Sequence, residues 1–261
     1  MPNYETLTFE QQDKVAIITL NRPDAANGIN FAMSEELVDV ATYCRNENSV
    51  RAVVLTATGK FFCAGGDLRE MAGYGDEGSA RVKALADNLH QSISLFSRMD
   101  APVIVAVNGV AAGGGFSLSI TGDLVIASES AVFTMAYSRA GLSPDGSSSY
   151  FLPRLIGLRR AQEMAFTNNT LTAAEALEWG LINRVVSHDD LLSTATEMAR
   201  GLAKGSLGSH STIKKLFLST YNNDLEAQMD AEAAGISQTL GSADGQEGMC
   251  AFLEKRAPNF N

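Results

Sequence analysis

Apolar and polar positions alternate at the start of the chain. Leu7 and Phe9 precede a polar stretch at 11–14, and a second alternating stretch follows at 15–20. Because successive side chains of a strand point to opposite faces, this pattern predicts a β-hairpin. Farther along, the apolar positions become continuous, which is typical of strands that are covered on both faces. These runs lie at 52–56, 102–107, 124–127 and 131–133.

Helical patterns lie between and after these strands. We expect Ser34 to cap a helix that ends near Asn46, and a second helix to cover residues 79–99. Helices dominate after Ser148, apart from one short strand predicted at 183–186.

The alternation of strands and helices over the first two thirds of the chain predicts an α/β architecture. From about residue 190 onward only helical patterns remain. We therefore predict two regions, an α/β core with the ligand site at residues 1–190 and a helical oligomerisation region at residues 191–261.

Charge and cysteine usage narrow the class of protein. The 261-residue chain carries a formal net charge of −10, which disfavours binding to nucleic acids or to anionic membrane surfaces. No apolar run reaches the roughly 18–20 residues that a membrane span needs. The three cysteines are far apart and odd in number, which favours free thiols in a reducing cytoplasm. Neither the cysteines nor the three histidines show metal-ligand spacing, so no metal is predicted.

A glycine-rich loop follows the strand at 52–56. It reads Phe61-Phe62-Cys63-Ala64-Gly65-Gly66-Asp67-Leu68. Adjacent glycines permit positive φ and let a ligand approach the backbone, so the N–H of Gly66 is a candidate donor to an anionic oxygen. The alternative is an ordinary turn from strand to helix in which Asp67 is the N-cap.

A second glycine-rich loop, Gly109-Val110-Ala111-Ala112-Gly113-Gly114-Gly115-Phe116, follows a buried strand and opens a helix. N–H groups at a helix start lack partners within the helix, and consecutive glycines cost roughly 1 kcal/mol each relative to alanine. We infer that close approach of a ligand is needed here. The spacing fits neither a dinucleotide fingerprint nor a P-loop.

The third segment places a carboxylate in a loop of small and apolar residues. Asp145 lies between Pro144 and Gly146, where it is a candidate catalytic group. The alternative is a β-turn in which Asp145 caps the helix that begins near Ser147.

Together these segments resemble the crotonase (enoyl-CoA hydratase/isomerase) superfamily. The matching stretches keep their order across nearly the whole chain, and they are Asn21-Arg22-Pro23, Cys63-Ala64-Gly65-Gly66-Asp67-Leu68, Asn108-Gly109-Val110-Ala111-Ala112-Gly113-Gly114-Gly115, Leu152-Pro153-Arg154-Leu155-Ile156-Gly157, Ala173-Ala174-Glu175-Ala176-Leu177-Glu178-Trp179-Gly180-Leu181-Ile182 and Glu247-Gly248-Met249-Cys250-Ala251-Phe252-Leu253-Glu254-Lys255-Arg256.

The resemblance implies a ββα spiral followed by a helical trimerisation region, with homotrimers or dimers of trimers. It implies an acyl-CoA substrate, no cofactor beyond that coenzyme A, and a thioester oxygen bound by the N–H groups of Gly66 and Gly114. By the same resemblance the channel for coenzyme A is lined by Ala25, Ala64 and Leu68, and is reached from the C-terminal end by Phe252 and Lys255.

One departure concerns the phosphate contact. A lysine often follows the Arg-Pro pair in this family, and Asp24 stands there in this chain. Arg22 or Arg69 could replace that lysine.

The resemblance specifies the reaction less closely than it specifies the fold, because this fold hosts many chemistries. The two glutamates of typical hydratases correspond to Ser117 and Tyr137, neither of which is a carboxylate, so a two-glutamate hydratase is disfavoured. An aspartate matched by Asp145 occurs in epoxide/enoyl-CoA isomerases of phenylacetate breakdown and in 4-chlorobenzoyl-CoA dehalogenases. We expect Asp145 to act as acid and base in double-bond or ring isomerisation.

Two alternatives stay open. In a dehalogenase-like hydrolase, Asp145 is the nucleophile and His90 the base that activates water, although Tyr137 stands at the position of the dehalogenase tryptophan. The other alternative is a catalytically silent scaffold.

Aromatic residues that could line an acyl pocket, or belong to the core, are Phe61, Phe62, Tyr137, Tyr150 and Phe151.

Overall fold

In the computed structural model, residues 4–260 are described. The outer limits of the two predicted regions, Met1 and Asn261, lie outside them. The strands are β1 (Leu7–Gln12), β2 (Val15–Leu20), β3 (Ala52–Ala57), β4 (Phe61–Cys63), β5 (Val103–Val107), β6 (Val110–Ala112), β7 (Leu124–Ser128), β8 (Val132–Thr134), β9 (Leu171–Thr172) and β10 (Arg184–Val186). The helices are α1 (Phe31–Asn46), α2 (Leu68–Ala72), α3 (Gly78–Arg98), α4 (Gly114–Ser119), α5 (Ser148–Ile156), α6 (Leu158–Thr167), α7 (Ala173–Glu178), α8 (Leu191–Ala203), α9 (Leu207–Ser219), α10 (Leu225–Gly241) and α11 (Ala243–Glu254).

The strands form two sheets. The larger has the order β1-β2-β3-β5-β7-β10, and the smaller has the order β4-β6-β8-β9. Apart from the β1–β2 hairpin and the β8–β9 pair, neighbouring strands are parallel. After the β1–β2 hairpin, the pairs β3–β4, β5–β6 and β7–β8 each place one strand in each sheet before the chain passes into a helix. The predicted hairpin and the predicted ββα spiral are both confirmed.

The first helix differs from the prediction at its start. It begins at Phe31, and its N-cap is Asn30, whose side chain accepts a hydrogen bond of 2.9 Å from the Met33 N–H. Ser34 is buried inside the helix and donates to the carbonyl of Phe31. The prediction that Ser34 is the cap is therefore wrong, because asparagine caps as well as serine does and stands one helical turn earlier.

Two apolar cores cover the larger sheet. One lies between the sheets and under α1 and α3, whereas the other lies where α8 packs on the opposite face of β2, β3 and β5. Beyond α8, the helices leave much apolar surface open within one chain. Exposed apolar side chains of α10 and α11 are Leu225, Met229, Ile236, Leu240, Met249, Phe252 and Leu253. In the described part of the chain, no helix combines the length and the apolar character needed to cross a membrane.

Candidate active site

The two glycine-rich loops lie against each other. They leave β4 and β6, which are neighbouring parallel strands of the smaller sheet. Gly65 has a φ of +98°, and a Cβ added there would lie 3.0 Å from the carbonyl oxygen of Ala112 and 3.2 Å from the nitrogen of Gly114. Only glycine allows this conformation and this approach of two backbones.

The N–H groups of Gly66 and Gly114 have no acceptor among residues 4–260. The preceding or following residue is paired, since Asp67 N–H donates to Ile29 at 2.9 Å and Gly113 N–H donates to Thr134 at 3.3 Å. The loops thus present two unpaired backbone donors, the arrangement that stabilises a developing oxyanion.

Both glycines line a cavity of about 390 Å³. Six of the predicted site residues line this cavity, namely Ala64, Gly66, Leu68, Gly114, Tyr137 and Asp145. Its apolar wall includes Ile29, Met71, Leu85 and Leu89. A carboxylate and two unpaired N–H donors therefore share one largely apolar cavity, as expected of a ligand site.

Asp145 is held by two polar residues, Tyr137 and Ser117. Tyr137 donates from its hydroxyl to Oδ1 of Asp145 at 2.6 Å, and its oxygen lies 2.7 Å from the hydroxyl of Ser117. Oδ2 accepts no hydrogen bond from any described residue. One carboxylate oxygen is thus oriented by the protein, and the other is available to a ligand.

Tyr137 is buried, and this burial sets its protonation state. Burial, followed by the negative charge of Asp145, raises the pKa of Tyr137 far above its ordinary value. The phenol therefore stays protonated over the whole physiological range and acts as a donor to Asp145.

The loop around Asp145 is fixed by close packing on α4. Gly146 has a φ of +57°, and an added Cβ would lie 2.7 Å from Cβ of Ser117. The backbone carbonyl of Asp145 accepts from the hydroxyls of Ser117 and Ser148, each at 2.9 Å. The Asp145 side chain does not cap α5, whose N-cap residue Ser147 makes no side-chain cap bond. The capping role in that alternative is therefore wrong, whereas its turn is present, since the Ser148 N–H donates to the Asp145 carbonyl at 3.2 Å.

Asp67 does cap a helix, as one of the two interpretations of its loop predicted. Its side chain accepts from the N–H groups of Arg69 and Glu70 at the start of α2. It also forms an ion pair of 3.0 Å with Arg22. Burial opposes ionisation of Asp67, but its hydrogen bonds and the charge of Arg22 together outweigh burial and lower its pKa. Capping by Asp67 leaves the Gly66 N–H unpaired, so the two interpretations of the loop are compatible.

His90 lies beside Asp145, near the carboxylate oxygen that Tyr137 does not contact. Its Nε2 is 3.9 Å from Oδ2 of Asp145 and accepts a hydrogen bond of 3.1 Å from the N–H of Gly146. An acceptor nitrogen carries no proton. The ring nitrogen nearest Asp145 therefore has its lone pair engaged by the backbone.

The remaining predicted site residues are not brought to this cavity by the chain itself. Ala25 lies in a short 3₁₀ turn, and Arg69 is exposed on α2. Phe252 and Lys255 are exposed at the end of α11. Of the predicted aromatic residues only Tyr137 lines the cavity, whereas Tyr150 and Phe151 line a neighbouring one.

Sequence reasoning missed two features of the site. Ser117 was noted only as a missing glutamate, yet its hydroxyl contacts both Tyr137 and the Asp145 loop. Met71 lies over the Gly66 loop. A Cβ added at Gly66 would lie 2.4 Å from the terminal methyl of Met71. A polar residue on an otherwise apolar, glycine-rich helix start could have indicated the role of Ser117, whereas nothing in the sequence distinguishes Met71 from a core residue.

Residues 10–261 match the family model described as "Enoyl-CoA hydratase/isomerase". A 1,2-epoxyphenylacetyl-CoA isomerase of Escherichia coli is 38% identical over 254 residues, which cover 94% of each chain. A 4-chlorobenzoyl coenzyme A dehalogenase of an Arthrobacter species is 34% identical, over 95% of this chain and 91% of the dehalogenase. The crystal structure of an enoyl-CoA hydratase from Bacillus anthracis superposes with a TM-score of 0.93 at 33% identity, over 98% of this chain and 99% of that one.

Proposed function

Because the chain belongs to the enoyl-CoA hydratase/isomerase family of the crotonase superfamily, we propose that it isomerises an acyl-CoA with Asp145 as the acid and base. The observation that carries the proposal is the cavity shared by Asp145 and the two unpaired N–H groups of Gly66 and Gly114. A carboxylate and an oxyanion site are the two groups that movement of a double bond beside a thioester requires.

The reaction needs one proton to move between two carbons. Oδ2 of Asp145 removes a proton from C2 of a 3-enoyl-CoA, and the electrons pass through the thioester to its oxygen. The N–H groups of Gly66 and Gly114 stabilise the resulting dienolate, and each such donor typically contributes about 3 kcal/mol to the transition state. The same carboxylic acid then returns the proton to C4, so Asp145 ends as it began.

The proposal assigns Tyr137 a positioning role. Its hydrogen bond to Oδ1 holds the carboxylate in one orientation, which leaves Oδ2 directed to the ligand. The apolar wall of Ile29, Leu85 and Leu89 excludes water from the dienolate, because these side chains offer water no hydrogen-bonding partner. Hydration would need a second acid or base, and the positions of the two hydratase glutamates are taken by Ser117 and Tyr137.

The dehalogenase-like alternative requires His90 to activate water. The engagement of its Nε2 by the Gly146 N–H counts against this role, because a base needs a free lone pair to accept a proton from water. The silent-scaffold alternative does not account for the unpaired N–H groups of Gly66 and Gly114 in the cavity.

For coenzyme A we propose the channel of the family, with Ala25, Ala64 and Leu68 along it and Phe252 and Lys255 reaching it from a neighbouring subunit. Arg69 is the favoured phosphate contact, since Arg22 is already engaged by Asp67.

The exposed apolar faces of α10 and α11 support a homotrimer or a dimer of trimers. Light scattering of the purified protein tests this, and a monomer at micromolar concentration would contradict it.

The reaction is tested by adding a 3-enoyl-CoA and following the ultraviolet absorbance of the conjugated 2-enoyl-CoA. We expect conversion by the wild-type protein and a loss of at least about 10²-fold in Asp145→Asn, the lower bound for removal of a general base. Binding of the thioester without any conversion by the wild-type protein would overturn the isomerase proposal.

A further inference from the structure

A second cavity, of about 650 Å³, adjoins the candidate active site at His90. The end of α1, the C-terminal half of α3, the start of α5 and the helix α9 line it, and it is open to solvent on one side. Tyr150 and Phe151 contribute its aromatic wall. The cavity is thus large enough for a group of substantial size beyond the reacting atoms.

The charge of this second cavity is opposite to that of the chain. Four of its lining residues are lysine or arginine, and none is aspartate or glutamate, although the chain has a net charge of −10. Two of the cations are compensated, since Lys214 lies 2.7 Å from Asp123 and Lys215 lies 3.5 Å from Asp100. The remaining two are compensated by no carboxylate.

Arg45 and Arg98 are these two cations. Neither forms an ion pair or a side-chain hydrogen bond with any residue from 4 to 260. Each lies in the last turn of its helix, α1 or α3, where the helix dipole stabilises a cation. Helix-end placement explains each arginine separately. It does not explain why both meet at a cavity that contains no carboxylate.

Ser97 also lines the second cavity, and its hydroxyl oxygen has no hydrogen-bond partner among the described residues. A buried hydroxyl without a partner is costly. The oxygen is itself covered, so a polar ligand would reach it after rotation of the side chain.

The two cavities are separated by a thin wall. Asp145 lines the first cavity, whereas Ser147 and His90 line the second. The His90 side chain is 48% exposed although it lies beside Asp145. Displacement of the His90 side chain would open this wall to an acyl chain whose reacting carbons lie at Asp145.

We propose that the second cavity binds the distal end of the acyl group, and that this end carries a carboxylate. The inference rests on the proposed function and names its substrate class, a dicarboxylic acyl-CoA. Arg98 lies eight residues beyond His90 on α3, about 12 Å along the helix at 1.5 Å per residue. The distal carboxylate accepts hydrogen bonds from Arg98 and Arg45.

The experiment compares two thioesters that differ only at the far end. Octanoyl-CoA and suberyl-CoA, its analogue with a terminal carboxylate, are titrated into the wild-type protein by calorimetry. We expect suberyl-CoA to bind roughly tenfold more tightly, as a charge-assisted hydrogen bond at a partly exposed site predicts. This preference should disappear in Arg98→Gln and in Arg45→Gln, and persist in Arg159→Gln, which removes an exposed arginine outside the cavity.

Three results would overturn the inference. The first is equal affinity of the wild-type protein for the two thioesters. The second is a preference for suberyl-CoA that survives both cavity substitutions. The third is that the substitutions weaken the binding of both thioesters equally, which would assign the arginines to the phosphates of coenzyme A. Binding does not depend on turnover. A preference for suberyl-CoA without isomerisation would therefore contradict the proposed reaction alone, and isomerisation without the preference would contradict this inference alone.

Discussion

The hydroxyl of Tyr137 donates a hydrogen bond of 2.6 Å to Oδ1 of Asp145. Because Tyr137 is buried and protonated, this contact orients one carboxylate oxygen and leaves the other to a ligand. The resemblance to the family assigns this tyrosine to one of the two positions at which typical hydratases carry a glutamate. In the proposed reaction, the carboxylate at 145 is thus oriented from one of those positions.

Tyr137→Phe should lower kcat for isomerisation by roughly tenfold, because the carboxylate loses the contact that orients it. The loss should fall on kcat rather than on KM, because the hydrogen bond acts on Asp145 and not on the thioester. Tyr43→Phe is the control, because it removes a phenol hydroxyl that makes no hydrogen bond to a described residue and lies outside the cavity. A raised KM with an unchanged kcat in Tyr137→Phe would contradict the positioning role.

Gly65→Ala should lower kcat by about 10²-fold or more, the typical cost of one displaced oxyanion donor. The added Cβ meets the backbone of Ala112 and Gly114 and moves the two loops apart. Gly201→Ala is the control, because a Cβ at that position of α8 meets nothing within 4 Å. Circular dichroism checks that both variants fold, and full activity in a folded Gly65→Ala protein would show that loop spacing is unimportant.

His90→Gln should retain isomerisation within about tenfold of the wild-type rate, because glutamine can still accept from the Gly146 N–H. Loss of a general base would cost about 10²–10⁴-fold. His90→Ala leaves that N–H without an acceptor and serves as the comparison. Steady-state rates with a 3-enoyl-CoA measure both effects, and a loss above 10²-fold in His90→Gln would restore His90 as a base.

Stability should depend on pH through His210. Burial, and then the charge of Arg51, lower its pKa below the ordinary value of 6.5. The unfolded chain therefore binds a proton more readily, and the free energy of unfolding should fall as the pH drops from 6.5 through the pKa of the folded state. Urea unfolding at several pH values should show a flatter dependence in His210→Gln than in the wild-type protein. His188→Gln, at an exposed histidine, should leave the pH dependence unchanged. If the free energy of unfolding falls as steeply in His210→Gln as in the wild-type protein, His210 is not the origin of the dependence.

Much of the fold follows from local patterns. The parallel strands of the larger sheet are short apolar runs, and both glycine-rich loops stand between a strand and a helix, so their places could be predicted. The N-cap of α1 was missed by four residues, because Asn30 and Ser34 are both good capping residues and only the packing of Ser34 into the core decides between them.

The contacts within the site could not be predicted from the sequence. The hydrogen bond between Tyr137 and Asp145 spans a 3₁₀ turn with positive φ at Ala136 and Gly141, and no periodicity indicates that geometry. Likewise, Arg45 and Arg98 meet at one cavity because α1 packs against α3. Such convergence depends on tertiary packing, so it could not be derived from either helix alone.

Transfer of a proton by Asp145 from C2 to C4 of the acyl chain can be followed with a 3-enoyl-CoA that is deuterated at C2, by locating the deuterium in the product with NMR. We expect product with deuterium at C4 from the wild-type protein, and formation of the product at least about 10²-fold more slowly by Asp145→Asn. Formation of the 2-enoyl-CoA by Asp145→Asn at the wild-type rate would contradict the proposed role of Asp145.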